Sequence, residues 1–413
     1  MNKKTIGNEP IYDARTLGAP RMLVLGFQHM FAMFGATVLV PTLTGLSVST
    51  TLLFAGLGTL LFHLLAKGKV PAFLGSSFAF LGGYAAIAPM LENPNSPGVF
   101  NVPNTELLPY ACFGVACAGL VYLVLSLLFK VFGVRKVMRF FPPIVTGPII
   151  IAIGLSLSSS AVNNCATSWP VALVAILVVI VCNIWGKGMI KIIPILLGVI
   201  ASYLVGAVSG QVDFTAVREA AWIGLPVTWS ETVFGLFGSG NVDTAMLATA
   251  AITIIPISLA TMVEHIGDMC AISSTCGRNY IQEPGLHRTL LGDGLATSLA
   301  ALFGAPANTT YGENTGVLAL SKVYDPRVIR IAAVLAIIFS FCPKFAEVVH
   351  AMPTAAIGGV SLVLYGMISA VGVRNVVENK VDFTKSRNVI IAALILVLAI
   401  GVTYSGTGAV KIG

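Results

Sequence analysis

Three acidic residues stand where acids are rare. Of 17 Asp and Glu residues, Glu264, Asp268 and Glu313 fall well inside apolar stretches, and no Lys or Arg accompanies them. A carboxylate at the centre of a membrane span costs about 2.5–3.5 kcal/mol on insertion scales, so such residues face an interior cavity and mark a pathway. The bland alternative is a packing hydrogen bond to a Ser or Thr. Glu264 and Asp268 are four apart, which on a helix puts them on one face, about 6 Å apart along the axis. Two carboxylates that close, desolvated together, cannot both stay ionised cheaply, and this is the physical recipe for a proton-coupling site. A metal reading of Glu264, His265 and Asp268 fails on direction, because His265 points about 100° away from Glu264 on the helix. Asp293 sits near the inner end of a span and is ambiguous.

Glu313 follows Gly312, where the backbone can approach a ligand closely and a helix start exposes unpaired N–H groups. Ser76, Ser77 and Phe78 offer the same with an aromatic face added. A pocket built from both stretches holds carboxylate acceptors, backbone donors and an aromatic plane. A flat, uncharged ring carrying N–H and C=O groups fits that inventory, and an anion does not.

The elements that position these residues must be membrane helices. The chain of 413 residues is 56% hydrophobic and 10% charged, with a mean hydropathy of +0.90, against about 25% charged residues in soluble domains. Apolar spans read at 22–41, 49–66, 75–90, 109–129, 143–160, 170–186, 189–208, 245–272, 290–304, 314–321, 328–343, 356–372 and 388–406. Two of the stretches, 71–78 and 306–313, follow a Pro and are rich in small and hydroxyl residues. Non-helical backbone at membrane depth is tolerated only where protein or a wet cavity satisfies it, so two such breaks point to a substrate site.

The halves echo each other. Gln28-His29 matches Glu264-His265, 75–78 matches 309–311, and Phe141-Pro142-Pro143 with Gly147 matches Met352-Pro353-Thr354 with Gly358. An odd number of spans separates the copies, so the second is inverted. The second copy has six spans to the first copy's seven, and a fourteenth span is expected to be missing. With the N-terminus inside, all but Arg218, Lys344 and Lys411 of the 24 basic residues fall in inner loops, as orientation by basic residues requires. No cleavable signal peptide is expected. The seven cysteines show no C-x-x-C spacing and read as small hydrophobes. The net charge of +7 has no basic patch interleaved with aromatics, so nucleic acid is not an expected partner. No nucleophile–base pair or H-E-x-x-H motif is present, so no enzyme activity, cofactor or metal is expected.

The residues also carry a family likeness. Stretches 28–37 (QHMFAMFGAT), 71–80 (PAFLGSSFAF), 264–267 (EHIG), 284–288 (PGLHR), 308–314 (NTTYGEN) and 359–366 (GVSLVLYG) resemble the nucleobase–ascorbate transporter family, most closely its bacterial uracil permeases. The family signature reads Glu313-Asn-Thr-Gly316-x4-Ser321-Lys322, with Ser in place of Thr. The resemblance implies an all-α polytopic protein of the bacterial cell membrane with seven-plus-seven inverted repeats, here about 13 of 14 spans. It implies a core domain from residues 1–140 and 244–343, and a gate domain from 141–243 and 344–413. It further implies a proton-coupled uracil importer, with H+ as the coupling ion. Glu264, Glu313, Phe78, Gly312, Tyr311 and Ala36 are then expected to bind substrate, Asp268 and Glu264 to couple protons, and Ser361 and Tyr365 to act in the gate. Asp268 stands where the best-known uracil permeases have His, as in purine-transporting relatives, so a xanthine or uric acid symporter is the first rival. An anion exchanger of the same architecture is the rival from another class. Besides the nucleobase and the lipid bilayer, a second copy of the chain in a homodimer is left open.

Overall fold

The structure, a computed structural model, describes residues 6, 9–94, 96–238, 240 and 242–404. Lys3, Lys4 and Lys411 of the basic asymmetry, and the end of the thirteenth span beyond Tyr404, lie outside the described residues. The first repeat runs through α1 (Ala19–Thr44), α2 (Val48–Leu65), strand β1 (Leu74–Ser76), α3 (Leu81–Ile87), α4 (Leu108–Phe132), α5 (Pro143–Ala166), α6 (Trp169–Trp185) and α7 (Pro194–Val208). Between α3 and α4 lies a hairpin of β2 (Leu91–Asn93) and β3 (Ser96–Val102), which the hydropathy pattern passed over because it is short and polar. The second repeat has α8 (Thr244–Ile254), α9 (Ile257–Cys276), α10 (Leu286–Leu302), β4 (Asn308–Thr310) and α11 (Gly312–Ser321). It continues with α12 (Pro326–Ser340), α13 (Pro343–His350), α14 (Thr354–Glu378) and α15 (Ser386–Tyr404).

The packing has a two-fold logic. Helix α2 packs on α12 as α4 packs on α10; α1 meets α12 as α4 meets α8; α6 lies on α14 as α15 lies on α5. The pairs β1–β4, α2–α10 and α5–α14 are each their own counterpart. The chain is thus an all-α polytopic membrane protein of two inverted repeats. Helices α5, α6, α7, α14 and α15 pack mainly on one another, and the remaining spans pack around β1 and β4.

Two expected spans end differently. The stretch 328–343 stops at Ser340, and the chain turns by 85° into α13, because Pro343 cannot continue the α12 hydrogen-bond ladder. The stretch 189–208 is helical as one span only from Pro194. Close helix contact depends on glycine at α4–α10, where a Cβ at Gly294 would press on the Tyr122 side chain and the Gly119 carbonyl.

Candidate functional site

The site is built on a fully buried two-stranded sheet. β1 and β4 run antiparallel, with Leu74 opposite Thr310, Gly75 opposite Thr309 and Ser76 opposite Asn308. Outside the strands the pairing continues, with the Ser77 amide donating to the Ala307 carbonyl at 2.9 Å and the Tyr311 amide to Phe73 at 3.1 Å. A bare sheet edge in hydrocarbon would leave polar backbone unpaired at several kcal/mol per group. Side chains from neighbouring helices close it. The Thr59 hydroxyl on α2 accepts from the Leu74 amide at 2.9 Å and donates to the Leu74 carbonyl at 3.2 Å. Thr297 on α10 donates to the Asn308 carbonyl at 2.5 Å, and the Asn308 amide donates to Phe54 on α2 at 2.8 Å. A His63 ring nitrogen lies 2.9 Å from the Ala72 carbonyl.

Each strand leads into a helix start. After β1 comes a short 3-10 turn, Phe78–Phe80, whose preceding Ser77 makes no side-chain cap. After β4 comes α11, whose N-cap Tyr311 makes none either. Two sets of first-turn amides are therefore left without side-chain caps, with the positive ends of their dipoles toward the same region. Tyr311 staples the two segments: its hydroxyl donates to the Ser76 carbonyl at 2.7 Å and receives Thr37 at 3.4 Å. Glycine at 75 makes this crossing feasible, since a Cβ there would collide with the Tyr311 ring. Tyr311 and Ala36 are both buried in one apolar cluster, so the Tyr311 phenol is spent on the staple and Ala36 backs it.

The carboxylates line up beside these starts. Glu264 and Asp268 share one face of α9, with Glu264 exposed and Asp268 half-buried. Asp268 Oδ2 accepts from the Thr310 hydroxyl at 2.8 Å. A Cβ built on Gly312 would have Asp268 Oδ1 as its nearest neighbour at 3.8 Å, so the open backbone at Gly312 faces Asp268. Glu313 is half-buried in the first turn of α11. It lies within electrostatic range of Glu264 and Asp268. Phe78 sits half-exposed at the boundary with the second helix group, packed in the cluster that holds Leu364 and Tyr365 of α14. Ser361, one turn earlier on α14, is fully buried. Among the described residues no group of three metal-ligating side chains converges.

Sequence reading missed the supports behind this face. Asp293 is not at a span's end but fully buried within α10, its Oδ2 3.0 Å from His265 Nδ1. The other His265 nitrogen is 3.0 Å from the Thr289 hydroxyl. In the first repeat His29 is likewise fully buried, tied to α11 by the Asn314 amide, which donates to the His29 carbonyl at 3.1 Å. The echo of Gln28-His29 in Glu264-His265 was the available signal, since in each pair the histidine is the buried member.

A family model described as "Permease family" (Xan_ur_permease) matches residues 20–407. The chain belongs to the nucleobase–ascorbate transporter family. This family member is 41% identical over 410 residues to the uracil permease of Bacillus caldolyticus, covering 97% of this chain and 89% of that one. It is 39% identical over 387 residues to the uracil permease of Bacillus subtilis (strain 168), covering 91% and 84%. It is 38% identical over 389 residues to the putative pyrimidine permease RutG of Escherichia coli (strain K12), covering 92% and 82%. These relatives are permeases, and this chain is a transporter rather than an enzyme. Among solved structures, the transmembrane domain of the cyanobacterial bicarbonate transporter BicA superposes with a TM-score of 0.62 at 15% identity, covering 92% of this chain and 95% of that one. SLC26A9 superposes with a TM-score of 0.66 at 12% identity, covering 94% and 63%. At such identities the fold alone is shared.

Proposed function

We propose that this protein is a proton-coupled uracil importer. The observation that carries the reading is the meeting of Glu264 and Glu313 with the two uncapped helix starts at Phe78 and Gly312. Carboxylate oxygens accept only, and amide N–H groups donate only. A planar ring with N–H and C=O edges can satisfy both at once, and Phe78 supplies a face for stacking. The names of the relatives above, uracil and pyrimidine permeases, support the same choice. A bicarbonate-type anion would meet acids with no base among them, which argues against an anion exchanger on this shared scaffold.

Asp268 is assigned the transported proton, while Glu264 keeps its charge to accept a substrate N–H. Binding and protonation are then linked reciprocally, and uracil binds more tightly when Asp268 is neutral. Access alternates as the helices around β1 and β4, a core formed by 1–140 and 244–343, move against a gate formed by 141–243 and 344–413. Ser361 and Tyr365 face the core from that gate. The basic ends of the spans set the N-terminus on the cytoplasmic side. Asp268 favours one second reading, a purine symporter, because a carboxylate here accepts from a ring N–H that a pyrimidine does not carry.

The deciding experiment is uptake of labelled uracil into proteoliposomes under an inward proton gradient, competed by a panel of unlabelled bases. Uracil competing well ahead of xanthine supports the proposal. Xanthine competing ahead of uracil establishes the purine reading. Uptake indifferent to the gradient removes the proton.

A further inference from the structure

Away from the substrate site, the side of α10 opposite Asp293 has its own pattern. Arg288, Leu291, Leu295 and Leu299 recur every three or four residues, and all four are partly exposed, so they form one stripe along the helix. Helix α2 packs on one flank, with Phe62 against Gly292, and α4 on the other, with Tyr122 against Gly294. Both flanking helices expose apolar side chains: Leu57 and Leu64 on α2, and Leu120 and Leu127 on α4. The result is an apolar groove facing the hydrocarbon, floored by α10.

The groove ends among cations. Lys67 follows α2 directly, Lys130 stands in the last turn of α4 and Arg288 in the first turn of α10. All three lie close enough to the His287 imidazole to act on it electrostatically. One Arg288 N–H is engaged with the Leu65 carbonyl at 3.3 Å, and Ser126 on α4 holds the His287 carbonyl at 2.5 Å, which fixes the three helix ends together. Lys67 and Lys130 are exposed, and neither has a carboxylate at ion-pair distance among the described residues. Glu283, within electrostatic reach of Lys67, is paired with Lys69 instead.

We propose that this groove binds one anionic phospholipid. Its phosphate is held by Lys67, Lys130 and Arg288, and an acyl chain lies along Leu291, Leu295 and Leu299. Three cations gathered at the tied helix ends repel one another, and a phosphodiester relieves that repulsion with hydrogen bonds to charged donors. Basic pockets between spans near the membrane surface bind anionic headgroups on the same principle. The competing account is that these are ordinary loop cations that orient the chain and hold nothing.

The test is thermal unfolding of the purified full chain in detergent. Phosphatidylglycerol should raise the midpoint above that reached with phosphatidylcholine of the same acyl chains. Lys67→Gln/Lys130→Gln should lose most of this increment while unfolding like the parent without added lipid, and Lys187→Gln/Lys191→Gln should keep it. An equal increment in the parent and in Lys67→Gln/Lys130→Gln overturns the proposal. So does an equal loss in both double variants, which would mark general surface charge. Glycerol phosphate without acyl chains should leave the midpoint unmoved, and a shift matching that of the lipid would overturn the lipid assignment.

Discussion

The two broken segments share a backbone and differ in chemistry. Each is a buried three-residue strand leading into an uncapped helix start. Each is braced by a threonine from the counterpart helix, Thr59 on α2 and Thr297 on α10, and each repeat buries histidine near the sheet, His29 and His63 in the first and His265 in the second. Yet the membrane-depth carboxylates all belong to the second repeat. Where Glu264 stands, the first repeat has Gln28, and its broken segment offers serine hydroxyls and the Phe78 ring rather than an acid. The scaffold obeys the two-fold relation because both copies must satisfy the same stranded backbone in lipid. Chemistry is free to depart from it, since the proposed ring substrate would present different edges to the two halves.

The sharpest way to break that comparison is to remove an acid from the second repeat. Glu313→Gln replaces an acceptor-only group by one that also donates, where a ring N–H needs an acceptor. Loss of a charge-assisted bond costs about 1.5–3 kcal/mol, or roughly 10- to 150-fold in uracil affinity. Equilibrium binding to the purified protein measures it. An unchanged dissociation constant would remove Glu313 from the site and leave the asymmetry without a function.

A coupling variant comes next. Asp268→Asn imitates the neutral acid, so it should still bind uracil and exchange labelled for unlabelled base at a rate near the parent's. Accumulation driven by a pH gradient should fall to the level of simple equilibration. Proteoliposomes assayed with and without the gradient separate the two activities. If the Asn variant concentrates uracil as well as the parent, the proton is carried elsewhere, with Glu264 the next candidate.

Scaffold variants should behave in the opposite way. Thr59→Val strips both polar contacts from Leu74 and leaves its backbone amide and carbonyl unpaired in a dry setting. The cost is about 1–3 kcal/mol, read as a lowered unfolding midpoint, with the proton dependence of residual uptake unchanged. Thr310→Val removes the hydroxyl from Asp268 instead and should shift the pH profile of uptake. If Thr59→Val moved the pH profile as far as Thr310→Val, the division of labour between the repeats would fail.

This division also explains what could be read without coordinates. The spans, the inverted repeat, both breaks and the second-repeat acids are hydropathy and spacing signals, and each is local. The braces are not local. Thr59 with Leu74 and Thr297 with Asn308 join helices to strands across a turn of chain, and an isolated Thr in a span has no special pattern. Asp293 reads as near a span's end because the apolar run starts at 290 while the helix starts at Leu286, and only its meeting with His265 on another helix shows why a buried acid is tolerated there. Tyr311 enters the expected site only through the family likeness, and its ring, crossing Gly75 to reach the Ser76 carbonyl, is a contact that no local pattern announces. The 85° turn into α13 needed a Pro that a window of mean hydropathy does not weigh.

The smallest expected effect lies at the repeat ends outside the membrane. Helices α4 and α12 are counterparts, but their starts are held differently. Before α4, Asn104 accepts from the Leu107 amide at 3.3 Å, an uncharged contact. At α12, Asp325 accepts from the Arg327 and Ala14 amides at 2.9 and 2.7 Å. Arg327 also reaches Asp13 at 3.0 Å, while Arg15 forks onto the same carboxylate. The Arg15 guanidinium, with help from Arg327, holds the Asp13 carboxyl well below the usual carboxylate range. A carboxyl depressed on folding stabilises the native state fully above its unfolded value of about 3.9, and that contribution fades as the pH falls below it toward the folded value. These side chains are solvent-exposed, so the contribution is small and weakens with salt. Asp13→Asn should therefore lower the unfolding midpoint slightly at pH 7 and low ionic strength. The gap to the parent should stay level down to about pH 4 and narrow only below it. The Asn104→Ala variant should lower the midpoint by an amount that does not change across the same range. A gap for Asp13→Asn that closes between pH 7 and 5 would place the titrating group elsewhere, and the charged latch would then not distinguish the second repeat from the first.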